Sequence, residues 1–451
     1  MKRLFGTDGI RGVAGEPPLD PATVRTFGIA LAAVLKRTTP HAPRILIGRD
    51  TRQSGEWLRD ALFTGLLSGR AEFGDAGVIT TPGLAHAVRT SGYDAGVMIS
   101  ASHNPFEDNG LKVFAANGMK LDDGLEREIE GLMLDSGVAD PGEKIIESSE
   151  DREVLENYLR ELERLGSDQD GLRGCHLVLD CANGSAAAIA PRLFSRLGAD
   201  LETIGADPDG CNINLNCGSL HLDGLAREVK DRLVDLGIAF DGDAARALAV
   251  DRSGRTVDGD HILYLAARHL KRLGRLRNDV VVATIMSNFW LEKKLEEEGI
   301  HLVRAPVGDK YVLERMLQED AVLGGEQSGH IIFRDHATTG DGILTGILLL
   351  HCIKQEADSL EKIMDRIIPY PQLLINVRVH EKPDLRAHPV IGPAVEEAER
   401  DLDGTGRVVL RYSGTEPLTR VMVEGRDPDA VRYHAEQLAD IIRRELGNAT
   451  S

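Results

Sequence analysis

The feature that most constrains this chain is an alternation of short apolar runs, each followed by a stretch with helical spacing. The runs are Arg44-Ile45-Leu46-Ile47-Gly48, His176-Leu177-Val178-Leu179-Asp180 and Val280-Val281-Val282-Ala283-Thr284-Ile285. Helical periodicity is clear over residues 22–37, 54–68, 188–197, 222–236 and 429–446, and a charged helix restarts over 151–165. This pattern predicts βαβ units and mixed, mainly parallel sheets. Three α/β blocks in a row read as a weak internal repeat of irregular spacing.

The blocks are punctuated. Residues 136–149, containing Asp140-Pro141-Gly142, are polar and turn-rich and read as a linker. Further breaks fall within residues 251–260, at Ser253-Gly254 and Asp258-Gly259, and at Ile368-Pro369-Tyr370-Pro371. Beyond the last, alternation over 373–379 and 408–412 suits a smaller α+β domain with an antiparallel sheet. The expected division is 1–150, 151–255, 256–369 and 370–451, since 451 residues exceed what one core organises.

Composition excludes some functions. A net charge of -19 repels polyanions, so neither nucleic acid nor an anionic membrane is expected as a broad partner, while small anions remain open to local basic clusters. The chain has no long uncharged apolar run and begins without a signal-like stretch, so it is expected in the cytoplasm. Five cysteines, without a close pair backed by histidine, are read as reduced and structural.

Four loops carry chemistry. The run Ala95-Gly96-Val97-Met98-Ile99 ends in Ser100-Ala101-Ser102-His103-Asn104-Pro105, at the strand end where open α/β sheets place their sites. Pro105 forces a sharp turn, expected to leave the Ser102 hydroxyl exposed and oriented; an ordinary Asn-Pro turn is the alternative. After Gly237-Ile238-Ala239-Phe240, the loop Asp241-Gly242-Asp243-Ala244-Ala245-Arg246 lets two carboxylates converge on one hard cation such as Mg²⁺. It could also be a solvated acidic turn, or the aspartyl-phosphate loop of a haloacid-dehalogenase-type phosphatase, which wants Thr or Val where Ala245 stands. In Gly324-Gly325-Glu326-Gln327-Ser328-Gly329-His330, Glu326 and Ser328 suit vicinal hydroxyls, with a hairpin tip as the alternative. Arg411-Tyr412-Ser413-Gly414-Thr415-Glu416-Pro417, with Arg420 beyond it, forms a donor-rich cup for phosphate, or else a β-turn with exposed arginines. Arg11 and Lys112 each follow a glycine turn and are weak signals singly.

Taken in order along nearly the whole chain, these motifs resemble the phosphohexomutase family of α-D-phosphosugar mutases. The resemblance includes Phe5-Gly6-Thr7-Asp8-Gly9-Ile10-Arg11-Gly12 and Asn212-Ile213-Asn214-Leu215-Asn216-Cys217-Gly218-Ser219, and is strongest to members acting on glucosamine phosphates. It implies three related α/β domains and a smaller C-terminal α+β domain around a central cleft. It implies that Ser102 is phosphorylated, with one Mg²⁺ between its phosphate and Asp241 and Asp243. Arg11, His103, Lys112, Arg246 and His330 would face the transferring phosphoryl group or the sugar, with Lys112 in the acid–base role. Glu326 and Ser328 would hold sugar hydroxyls, and Arg411, Ser413, Gly414, Thr415 and Arg420 the other phosphate. The implied reaction interconverts glucosamine 6-phosphate and glucosamine 1-phosphate through bound glucosamine 1,6-bisphosphate, feeding amino-sugar and cell-wall precursors. A homodimer is compatible with it. Mutases of glucose or mannose phosphates are the alternative.

One position departs from the family. Its metal loop reads Asp-Gly-Asp-x-Asp-Arg, and Ala245 replaces the third aspartate, which predicts weakened Mg²⁺ binding and a catalytically impaired sugar-phosphate binder as a further alternative.

Overall fold

Strand Arg44–Arg49 lies inside a six-stranded sheet, and its apolar side chains are divided between two layers. Ile45 and Ile47 join a core with helices Pro21–Leu35 and Ser54–Ser68 on one face, while Leu46 packs with helix Thr81–Thr90 on the other. The computed structural model describes every residue except 1–3, 7, 135–139, 143–148, 414–416 and 448–451. Most of the expected linker at 136–149 therefore lies outside the described residues. The chain divides into two compact units, Met1–Thr284 with Val303–Glu361, and Ile285–Leu302 with Lys362–Ser451.

The first sheet runs in the order Phe5–Gly6, Gly9–Val13, Asp108–Ala115, Ala95–Ile99, Arg44–Arg49, Glu72–Val78. Arg44–Arg49 is parallel to both its neighbours, and the remaining pairs are antiparallel. A second sheet orders Thr256–Val257, Ala247–Asp251, Leu236–Phe240, His176–Asp180 and Asp200–Ile204, with its parallel pairs centred on His176–Asp180. A third orders His301–Ala305, Val280–Thr284, Leu323–Gly325 and Ile331–Phe333. The sheets are thus mixed. In each α/β sheet one antiparallel pair is a hairpin that returns the chain beside a strand next to one of the candidate loops.

The second unit holds a three-stranded antiparallel sheet, Gln372–Arg378, Leu418–Gly425 and Gly406–Tyr412, backed by helices Ile391–Asp401 and Pro428–Leu446. Helix Phe289–Glu297 belongs to this unit. Asn288 caps it by accepting from Trp290 N, and Glu424 accepts from Phe289 N at 2.7 Å. The Asn288 side chain also bonds both the N–H and the carbonyl of Tyr370, at 3.1 and 3.0 Å.

All five cysteines are free. Burial pushes the Cys217 and Cys352 thiols up to about 12, so both are neutral and unreactive near pH 7. No helix among the described residues is long and apolar enough to cross a membrane.

Asp341 caps helix Gly342–Gln355 by accepting from Leu344 N at 2.9 Å, and it accepts from the Tyr158 hydroxyl at 2.9 Å. Burial pushes its carboxyl up to about 6 from an ordinary 3.8. The folded chain therefore holds a proton that the unfolded chain releases, and stability is lost as pH rises between those values. Asp341→Asn keeps a capping oxygen without the charge. Its melting temperature is expected to gain on the parent's from about pH 4 to about pH 6, with the difference levelling off towards neutral pH. A difference that is flat across this range in thermal unfolding would count against a buried charge at Asp341.

Candidate active site

Ser102 follows the strand Ala95–Ile99 and adopts a left-handed backbone, φ 56°. Such a conformation is rare outside glycine, asparagine and aspartate, and here the surrounding bonds hold it. The Ser100 hydroxyl accepts from Ser102 N at 2.9 Å and donates to Asp50 at 2.7 Å. The Arg52 guanidinium, 1 % exposed, pairs with Asp50 at 2.9 Å and donates to the carbonyls of Ser102, Asn104, Pro105 and Asp108. The Asn214 side chain donates to two of the same carbonyls, Ser102 and Asn104, at 2.9 Å each.

The hydroxyl is not exposed, contrary to the expectation from its turn. Ser102 is 4 % exposed because the loop after Leu236–Phe240 packs onto it. Ser102 Oγ donates to Asp241 Oδ2 at 2.6 Å and lies 3.3 Å from His103 Nδ1. Gly242 makes this approach possible, since a Cβ there would stand 2.6 Å from the Ser102 carbonyl oxygen. Asp241 and Asp243 converge through a turn with Ala244 left-handed, φ 53°, rather than by strand alternation.

Both carboxylates are fully buried and differ in their partners. Asp243 accepts from Lys112 Nζ at 2.8 Å and from the Thr81 hydroxyl at 2.6 Å. Burial opposes its charge, but Lys112 and these hydrogen bonds hold its carboxyl well below the ordinary range. Asp241 accepts from two neutral donors, Ser102 Oγ and Arg246 N, and burial together with the Asp243 charge raises its carboxyl against the opposing Arg246 charge. His103 is driven down to about 4 by burial and by Arg246 and Arg11, so it is neutral at pH 7.

Arg11 and Lys112 are not solvated cations. They sit on the paired strands Gly9–Val13 and Asp108–Ala115, and Lys112 is 4 % exposed. Arg11 donates to the Ala101 carbonyl at 3.2 Å and pairs with Asp8, which also lies 3.3 Å from Lys112 Nζ. Glu326, Ser328 and His330 ride the tip of the hairpin between Leu323–Gly325 and Ile331–Phe333, so hairpin and candidate ligand loop are one feature. Glu326 Oε1 accepts from Gly308 N at 3.2 Å, and Ser328 is exposed. His330 is buried with its Nδ1 unpartnered, and its ring fills the place of a side chain at Gly340.

In the second unit, Arg411 and Arg420 stand directly opposite each other across neighbouring strands. Burial and the Arg420 charge both lower the proton affinity of Arg411. Like charges placed in cross-strand register are unfavourable unless an anion answers them. Each Nε is buried without a partner. Ser413 is buried beside them, its carbonyl accepting from Lys382 Nζ at 2.8 Å. Gly414 and Thr415 lie outside the described residues.

A hard cation requires oxygen ligands. Asp241 and Asp243 supply two carboxylates beside Ser102 Oγ, and Asp243 Oδ1 is buried with no hydrogen-bond partner. These residues fit a small divalent ion. Ala245, 4 % exposed, contributes only a methyl, and no group of three or more His, Cys, Asp or Glu suited to a metal occurs among the described residues. Neighbouring acids are otherwise engaged: Asp251 binds Arg255 and Ser253, and Asp258 caps helix Gly259–Arg272 and holds Gln327.

The sequence motifs include Asp8 and Asn214 without giving either a role, and do not include Asp50, Arg52, Thr81, Lys120 or Asp309. The signal for Asp50 and Arg52 was present, since Asp50-Thr51-Arg52 directly follows an apolar strand.

Models for phosphoglucomutase/phosphomannomutase match the chain in four stretches: alpha/beta/alpha domain I over residues 2–137, domain II over 156–254, domain III over 258–370 and the C-terminal domain over 374–441. Phosphoglucosamine mutase of Solibacter usitatus is 48 % identical over 99 % of this chain and 99 % of its own length. That of Brevibacillus brevis is 47 % identical, over 99 % and 100 %. A phosphoglucomutase/phosphomannomutase family protein from Burkholderia thailandensis superposes with a TM-score of 0.80 at 23 % identity, over 98 % of this chain and 97 % of its own. The Aspergillus fumigatus N-acetylphosphoglucosamine mutase, in complex with GlcNAc-6P and magnesium, does so at 0.70 and 19 %, over 98 % and 95 %. Fold and relatives together define a mutase, an isomerase that moves a phosphoryl group within a sugar phosphate. The chain belongs to the phosphoglucomutase/phosphomannomutase family, the phosphohexomutases.

Arg52→Met removes the partner of a buried carboxylate and four carbonyl bonds together. It is expected to lower stability by about 3–5 kcal/mol, read by denaturant unfolding. A loss below about 1 kcal/mol would show that the loop is held without this guanidinium.

Proposed function

We propose that this chain interconverts glucosamine 6-phosphate and glucosamine 1-phosphate, with Ser102 carrying the phosphoryl group and glucosamine 1,6-bisphosphate held between two transfers. The observation that carries the reading is the buried Ser102 hydroxyl on Asp241, flanked by Lys112 and Arg11. Two relatives of nearly equal length, both phosphoglucosamine mutases, support the choice of sugar.

In the first transfer the bond from phosphorus to the Ser102 oxygen breaks and a bond to a sugar hydroxyl oxygen forms. The hydroxyl proton finishes on the Ser102 oxygen, and the second transfer reverses this at the other end of the sugar. Such a reaction asks mainly for positioning and for charge that answers the phosphoryl oxygens. Arg11, Lys112 and Arg246 supply that charge, and we assign the proton relay to Lys112. His103, neutral at pH 7, stands beside the transferred group without adding charge. Glu326, Ser328 and His330 are assigned to the sugar, and Arg411, Ser413, Gly414, Thr415 and Arg420 to the phosphate that is not reacting. A Mg²⁺ held by Asp241, Asp243 and the Ser102 phosphate would neutralise charge on the phosphoryl oxygens.

Peptide mapping of the purified protein is expected to find one phosphate on Ser102, and Ser102→Ala to abolish turnover of glucosamine 6-phosphate. Phosphate on Asp241 with net release of inorganic phosphate would mean a phosphatase instead. Equal turnover of glucose or mannose phosphates would overturn the sugar assignment.

Ala245 favours one qualification, that the cation is held by one carboxylate fewer than the family pattern supplies. Ala245→Asp should lower the Mg²⁺ concentration for half-maximal turnover about tenfold. Identical Mg²⁺ dependence in both proteins would show that position 245 does not reach the ion.

A further inference from the structure

Lys120 lies outside every motif discussed so far. It follows a tight hairpin in which Ala115 N donates to the Met119 carbonyl and Leu121 N to that of Val113. The side chain is mostly buried, and its ammonium sits 2.5 Å from Asp8 Oδ1 and 2.7 Å from Asp309 Oδ1. Each carboxylate also reaches a residue already assigned to the reaction. Asp8 pairs with Arg11 and lies 3.3 Å from Lys112, and Asp309 Oδ2 lies 3.5 Å from His330 Nε2.

A continuous line of contacts thus runs from the neutral sugar-loop histidine, His330, through charges of alternating sign on Asp309, Lys120, Asp8, Lys112 and Asp243 to the buried carboxylate loop. Lys120 is the link between segments about 190 residues apart in sequence. Further ties join the same stretches, Thr338 Oγ1 to the Gly118 carbonyl and Lys310 to Asp123. These ties hold the backbones together but touch none of the residues assigned to the reaction.

We propose that Lys120 is a positioning residue, holding the cations that face Ser102 in register with His330 on the sugar loop. This rests on the mutase reading above. Without the ammonium, two carboxylates would confront each other across the gap, and Arg11, Lys112 and His330 would lose their common fixed point. An error of about 1 Å in such a site costs about 100-fold in rate.

The test uses the full-length protein with Lys120→Met and Lys120→Arg. For Lys120→Met, kcat with glucosamine 6-phosphate is expected to fall about 10- to 100-fold while KM stays within about threefold, and Lys120→Arg to recover most of the loss. A second readout needs no turnover. Burial is the main cause that lowers the proton affinity of His330; of the groups facing it, Lys120 and Arg246 lower it further while Asp309 and Glu326 raise it. Loss of Lys120 should therefore move the His330 titration, followed by NMR of the imidazole, to higher pH. An unmoved His330 titration would overturn the proposal, as would equal impairment of the Met and Arg variants in proportion to lost thermal stability. If the parent protein turned over no phosphosugar, the mutase reading would fail, and the His330 shift would still decide whether Lys120 fixes this line of charges.

Discussion

Asp241 and Asp243 lie two residues apart and wholly out of water, and both cannot be charged unless something answers them. The answer is unequal. Lys112 and Thr81 both bind Asp243 Oδ2 and keep that carboxyl charged, while Asp241 accepts the proton of Ser102. That inequality orients the hydroxyl, and it depends on three sources: the strand carrying Lys112, the helix start carrying Thr81 and the loop carrying Asp241. The fold matters because it brings the ends of these elements together.

The legible parts of the sequence were those where a polar loop follows an apolar run. The strand His176–Asp180 and the helix Ser54–Ser68 agree with the expected spans, and the Ser102 and Asp241 loops were singled out for the same reason. Strand Asp108–Ala115 was hidden because Asn109 and Gly110 interrupt its apolar pattern, yet it carries Lys112. The helix expected to reach residue 236 stops at Arg232, because Leu233 turns left-handed and sends Val234 and Leu236 into the core. Spacing could not foresee that reversal, since apolar residues continue in helical register beyond it.

The residues missed at the site share one property: each acts on a partner far away in sequence. Arg52 closes around carbonyls some 50 residues on, and Thr81 meets Asp243 across 162. Local pattern reports which face of an element is buried, but not which loop will be laid against it. Ser102 itself shows the limit, since its turn was read correctly and its burial was not.

The left-handed backbone at Ser102 has a consequence for chemistry. Threonine offers the same nucleophilic oxygen, and by reactivity alone the two hydroxyls are interchangeable. A β-branched side chain meets its own backbone in that conformation. The loop therefore discriminates between two chemically equivalent alcohols by torsion angle, and the choice between serine and threonine at position 102 is made by conformation before reactivity is consulted.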